Sequence, residues 1–115
     1  MIVVDGEEYC IDPAGGIADA LGKKWTLPLI GILGNREVSR FAELLRDLDG
    51  VAAKALSDRL RDLEGQGLVA RRVYAEVPSR VEYRLTPNGT SLRRALVPLL
   101  VWAARENGGA TDARR

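Results

Sequence analysis

Between residues 51 and 85 the spacing of apolar residues changes once, from a helical period to a strand period. That change constrains the fold more than any other feature of the chain. Leu56, Leu60 and Leu63 recur at intervals of four and three, so they share one stripe of a helix. The helix is predicted from about Val51 to Gln66, roughly 24 Å long. Gly67 is the expected left-handed residue that closes it. From Leu68 onward the pattern is that of strands. Leu68 to Tyr74 and Val81 to Leu85 are rich in Val, Tyr and Leu, and Ala75 to Arg80, with Pro78 near its middle, separates them. This predicts a hairpin with a long loop. In one register Val69, Val73, Val81, Tyr83 and Leu85 share a face while Arg72 stands opposite Glu82.

Helices flank this pair of segments. Asp12-Pro13 can open a short helix to about Leu21, with Ile17, Ala20 and Leu21 on one side. Trp25 to Leu33 is apolar nearly all round, which marks a buried central helix. Pro28 fits only in its first turn, so Thr26 or a neighbour is the expected cap, and Gly34-Asn35 ends it. Ser39 is the expected cap of a helix carrying Phe41, Leu44, Leu45 and Leu48, which stops at Asp49-Gly50. After the hairpin, Thr86-Pro87 opens a last helix to about Arg105, ended by Asn107-Gly108-Gly109. The 115 residues thus divide into an N-terminal arm (1–12), one domain (13–105) and a flexible tail (106–115). Two helices joined by a tight connection and followed at once by a hairpin describe a winged helix-turn-helix. The expected class is mainly α with a small β-hairpin wing.

Composition excludes several chemistries. The sequence has no histidine and one cysteine. A Ser-His-Asp triad, a Cys-His pair, a histidine-bearing zinc finger and an internal disulfide are therefore ruled out. Acid pairs such as Asp47/Asp49 and Glu7/Glu8 read as surface and loop residues, so no enzyme, metal or cofactor is expected. Leu96 to Ala104, broken by Pro98, is far shorter than the roughly 20 residues of a membrane span. The opening MIVVDGEEYC has acids where a signal peptide has a basic start. A cytoplasmic location with no membrane contact is expected.

Net charge is +1, but it is unevenly placed. Residues 1–53 hold five Lys/Arg against nine Asp/Glu, and residues 54–94 hold nine against five. A basic half suits an anionic partner; a mixed solvated surface fits the same count. On the helix bearing the three leucines, Lys54, Asp58 and Arg61 lie roughly opposite the apolar stripe, with Ser57 at its boundary. Lys and Arg can neutralise phosphates or bond guanine edges, Ser can bond phosphate or base, and Asp58 can accept from cytosine or hold its cationic neighbours. Arg80 stands near the wing and suits a minor groove or a phosphate. Ser39 and Arg40 open the preceding helix, which crosses the DNA backbone in such motifs. The alternative is a winged-helix module that binds protein and has an ordinary solvated helix face.

GKKWTLPLIGIL (22–33), SRFAELLRDLDG (39–50), LSDRLRDLEGQGLVARRVYAEVPSRVEYRLTPNGTSL (56–92) and Tyr9-Cys10 resemble the HxlR-type winged helix-turn-helix transcriptional regulators. The resemblance runs from about residue 9 to 105. It implies a homodimer binding double-stranded DNA at a pseudo-palindromic operator, with the N-terminal segment and last helix at the subunit contact. Ile17, Leu92, Leu96, Leu99, Leu100, Trp102 and Ala103 are the candidates for that contact, since the last helix is too apolar for so small a domain to bury alone. Ala52 and Ala53 stand where the family often has a capping pair, so Asp49 or Gly50 is expected to cap instead. Cys10 matches a cysteine that senses oxidants or electrophiles in some relatives, although Glu7, Glu8 and Asp12 disfavour the thiolate that such chemistry needs.

Overall fold

The last helix begins where Thr86 ties three segments together. Its hydroxyl donates to the Gly67 carbonyl at 2.7 Å and accepts the Gly89 N–H at 3.0 Å, while its own N–H donates to the Leu68 carbonyl. The predicted cap is therefore present, and it also fixes the helix against the end of its predecessor. The chain, described by a computed structural model for residues 1–10 and 16–106, runs β1 (Ile2–Val4), β2 (Glu7–Tyr9), α1 (Gly16–Leu21), α2 (Thr26–Leu33), β3 (Ser39–Arg40), α3 (Phe41–Asp47), α4 (Ala53–Gly65), β4 (Val69–Tyr74), β5 (Arg80–Leu85) and α5 (Pro87–Glu106). The expected helix start at Asp12-Pro13, the stop at Asn107-Gly108-Gly109 and most of the expected tail lie outside the described residues.

Leucine dominates the core. Leu29, Ile30 and Leu33 of α2, Leu44 of α3, Leu56, Leu60 and Leu63 of α4, and Leu68 and Val69 beyond it form one cluster. Each fully buried leucine contributes about 1.5–3 kcal/mol of transfer free energy. Helix α2 is central, as predicted, and Pro28 lies in its first turn. Thr26 is not its cap, however. It is the first helical residue and is buried, and Trp25 occupies the cap position at φ 78° with no side-chain cap bond.

The wing has the predicted register: Arg72 faces Glu82, Val73 faces Val81 and Val69 faces Leu85. Sequence reasoning missed β3, which pairs with β5 through Ser39↔Tyr83 and Arg40↔Glu82 and gives the order β3-β5-β4. A two-residue strand is too short to show a period. Ser39 is consequently not the cap of α3. It is a strand residue, fully buried, whose Oγ accepts from Arg36 at 3.1 Å. Arg40 holds the cap position, and its N–H donates to Glu43 Oε1 at 2.8 Å.

The N-terminal arm also has more structure than expected, since β1 and β2 pair antiparallel with Ile2 opposite Tyr9. Asp5 and Gly6 turn the chain with φ of 52° and 84°, the double left-handed step of the tightest hairpin turn. Residues 1–10 are all exposed.

Candidate nucleic-acid interface

Helix α4 is held in place from three sides. Its leucine stripe faces α2 and α3; Asp62 takes Lys23 at 3.4 Å and Arg59 at 3.1 Å; and Gly67 (φ 75°) turns the chain directly into β4. At its other end the α3–α4 turn passes through Gly50 at φ 92°, a conformation that costs most residues dearly and glycine little. What remains free is the outer face.

There Lys54 and Arg61 have side chains 86% and 75% exposed. Both reach the same carboxylate. Lys54 Nζ lies 3.0 Å from Asp58 Oδ2, and Arg61 Nη1 lies 3.4 Å from Oδ1. The Lys54 hydrogen bond, with the charges of Lys54 and Arg61, holds the Asp58 carboxyl below the usual carboxylate range despite some desolvation. Asp58 thus stays ionised and orients both cations. Among the described residues no side chain caps α4. Ala52 is in the cap position, and neither Asp49 nor Gly50 takes over as expected, so the first N–H groups of the helix have no side-chain partner among the described residues. Those groups and the helix dipole favour an anion.

Beside this face lies a hollow of about 290 Å³ walled by Ser57, Leu60, Arg61, Glu64, Arg71 and Tyr83. The structure therefore joins Ser57 and Arg61 to two wing residues that sequence reasoning left out of the site. Arg71 stands opposite Tyr83 in the ladder and pairs with Glu64 at 3.6 Å. The signal was available, because counting by twos from Val69 puts Arg71 on the face assigned to Tyr83. Burial raises the Tyr83 phenol above its ordinary value.

Arg80 is placed differently from the sequence picture of a free wing-tip cation. It opens β5, stacks 3.9 Å from the Tyr74 ring, and pairs with Glu76 at 3.3 Å and Glu82 at 3.6 Å. Tyr74 donates to Glu82 at 2.9 Å, and Arg72 covers the same ring at 4.7 Å. Arg40 is exposed at the start of α3, while Ser39 is buried beneath it. Cys10 is exposed just past β2. Among the candidates for the subunit contact, Leu92 and Leu96 pack on the domain's own core, and Leu100 lies against Gly31. Ile17, Leu99 and Trp102 are exposed, the last two by 47% and 59%, and Ala103 is half-buried.

A three-stranded wing behind a helix-turn-helix, with a charged and uncovered second helix, defines a winged helix-turn-helix protein. The model of the HxlR-like helix-turn-helix family matches residues 20–109. An uncharacterised helix-turn-helix-type transcriptional regulator of Halalkalibacterium halodurans is 37% identical over 93 residues, covering 81% of this chain and 82% of that protein. The crystal structure of a possible HxlR family transcriptional factor from Thermoplasma volcanium superimposes with a TM-score of 0.84 at 34% identity, over 93% of this chain and 95% of that one. Diamide-treated YodB from B. subtilis superimposes with a TM-score of 0.64 at 33% identity, over 76% and 85%. The chain belongs to the HxlR-like helix-turn-helix family.

Proposed function

We propose that this chain is a sequence-specific DNA-binding transcriptional regulator that acts without enzymatic chemistry, in the cytoplasm, as a homodimer on a pseudo-palindromic operator. The observation that carries the reading is the division of α4. Its leucines pack into the core, while the opposite side leaves Lys54 and Arg61 exposed, with Ser57 and Asp58 half-exposed beside them. A helix of this size fits the major groove, where the two cations can meet guanine edges or phosphates. Arg71 and Tyr83 flank that groove from the wing, and Arg40 meets the phosphates that α3 crosses. Ser39, being buried, drops out of the contact set. Arg80 serves the wing mainly by holding Tyr74 and its two acids together.

Exposed Ile2, Val3, Val4 and Tyr9 on the N-terminal hairpin and exposed Ile17, Leu99 and Trp102 support the second copy. A lone two-stranded hairpin is marginal in water, and apolar residues this exposed gain from a symmetric contact. Two copies would set their α4 helices about 34 Å apart, one turn of the duplex. Anisotropy titrations against genomic fragments selected by the protein test the reading. Binding should weaken steeply with salt, with a log–log slope of about −0.9 for each phosphate neutralised. Weak, salt-insensitive binding would favour the protein-interaction module instead.

The regulating signal is a separate part of the proposal. Cys10 is the sequence's one thiol and is exposed, and a relative has been solved after diamide treatment. Diamide, taking up two electrons and two protons, would join Cys10 in a disulfide either to Cys10 of a second chain or to a small free thiol. A Cys10→Ser variant that keeps both DNA affinity and the wild-type response to diamide removes Cys10 as a sensor.

A further inference from the structure

On the side of α5 away from Trp102, four arginines surround a hollow that the DNA reading leaves unused. Its volume is about 530 Å³, within the range of small-molecule sites. Leu33 at the end of α2, Leu85 of β5, and Val97 and Pro98 of α5 supply apolar wall; Arg36, Arg84, Arg93 and Arg94 supply positive charge, against Glu37 alone. We propose that this hollow binds a small amphipathic anion, a monocarboxylate carried on an apolar body.

Two of the arginines are fixed in advance. Arg93 donates through Nε to the Gly31 carbonyl at 2.9 Å and through Nη2 to Asn35 Oδ1 at 3.1 Å. It sits where any side chain at position 34 would have to go, so Gly34 makes room for its guanidinium. Arg36 donates to Ser39 Oγ and pairs with Asp47. The other two are unspent. Arg84 and Arg94 are exposed and form no ion pair among the described residues. A guanidinium fork matches a carboxylate in two parallel bonds, and the apolar wall gives the rest of the ligand somewhere to leave water. A bare inorganic anion would make no use of that wall.

The hollow is distinct from both surfaces already assigned. Along β5, Arg84 alternates with Tyr83, so it leaves the sheet on the face opposite the one that meets Arg61. Around α5, at about 100° per residue, Val97 points roughly 140° from Trp102, while Pro98, four residues before Trp102, stands at the edge between the hollow and that face. Occupancy would nonetheless reach the DNA-facing helices. Arg36 lines the hollow and also bonds Ser39 of β3 and Asp47 of α3. A carboxylate that draws on Arg36 competes with both.

The test uses the whole protein without DNA, so its outcome is independent of the outcome of the operator titrations. Backbone amide NMR shifts are followed while sodium 3-phenylpropionate is added, then its neutral amide, 3-phenylpropionamide. Saturable changes are expected at residues 33–37, 84–90 and 93–98, with the neutral amide binding at least about tenfold more weakly, the worth of one charged contact of about 1.4 kcal/mol. An Arg84→Gln/Arg94→Gln double variant should lose carboxylate affinity by a similar factor with its thermal midpoint unchanged, because both side chains are exposed. The proposal is overturned by shifts that do not saturate, by equal affinity for the neutral amide, by an unaffected double variant, or by changes centred on Leu99 and Trp102.

Discussion

Leu60 and Arg61 are adjacent in sequence and should fail in opposite ways. Leu60 is 2% exposed within the main cluster, and Arg61 projects from the other side of the same turn. Truncating Leu60 to alanine removes apolar volume from a packed site and leaves a cavity, which costs about 2–5 kcal/mol. At roughly 4 °C per kcal/mol for a domain of this size, the thermal midpoint should fall by about 8–20 °C. Arg61→Ala removes an exposed side chain whose one ion pair among the described residues is a 3.4 Å contact with Asp58, so stability should stay within about 0.5 kcal/mol. Its cost should appear in DNA binding instead, about 1–3 kcal/mol if it reads a guanine, with relaxed preference at one base position. Urea unfolding at one fixed protein concentration measures the first quantity, because a dimer's stability depends on concentration. Anisotropy on the selected operator measures the second. An Arg61→Ala protein as unstable as Leu60→Ala, or one that binds the operator like wild type, would refute the assignment of the two faces.

Asp58→Asn removes a charge that repels phosphate and frees Lys54 and Arg61, so non-specific affinity should rise while discrimination between operators falls; competition with random duplex DNA measures both. Gly89→Ala should destabilise the protein by about 1–3 kcal/mol, since a Cβ there meets the Leu68 carbonyl and the first turn of α5 must move; a urea titration checks it. The Arg36 hydrogen bond, with the charges of Arg36 and Arg46, holds the Asp47 carboxyl below its ordinary range despite desolvation. A group depressed on folding stabilises above its unfolded value of about 3.9 and loses that contribution as pH falls through the folded value. Asp47→Asn should therefore flatten the acid limb of a stability–pH profile below about pH 4, and an unchanged limb would show that the pair contributes nothing to acid stability.

The parts of this fold legible in the sequence were those with a repeating period. The leucines of α4 and the alternation of the wing are patterns a reader can count, and both the division of α4 and the wing register follow from them. What escaped had no period to count. Strand β3 is two residues long, and its existence depends on β5 offering Tyr83 and Glu82 from more than forty positions away. The N-terminal hairpin, where only an arm was expected, also escaped, because its three-residue strands are too short to show a period or a buried face. In the candidate site, the outward direction of Lys54 and Arg61 followed from the helical wheel. The pairing of Arg80 with Glu76, Glu82 and the Tyr74 ring did not, because it depends on how the wing loop folds back on its own strands.

The claim that the polar side of α4 enters the DNA groove can be tested most directly by mapping backbone amide shifts when the selected operator is added to isotopically labelled protein. The account predicts the largest changes at residues 52–61, with a second group at Arg71 and Tyr83 on the wing and little change along residues 93–98. Largest changes on α5, or an α4 that titrates no more than the rest of the surface, would contradict it.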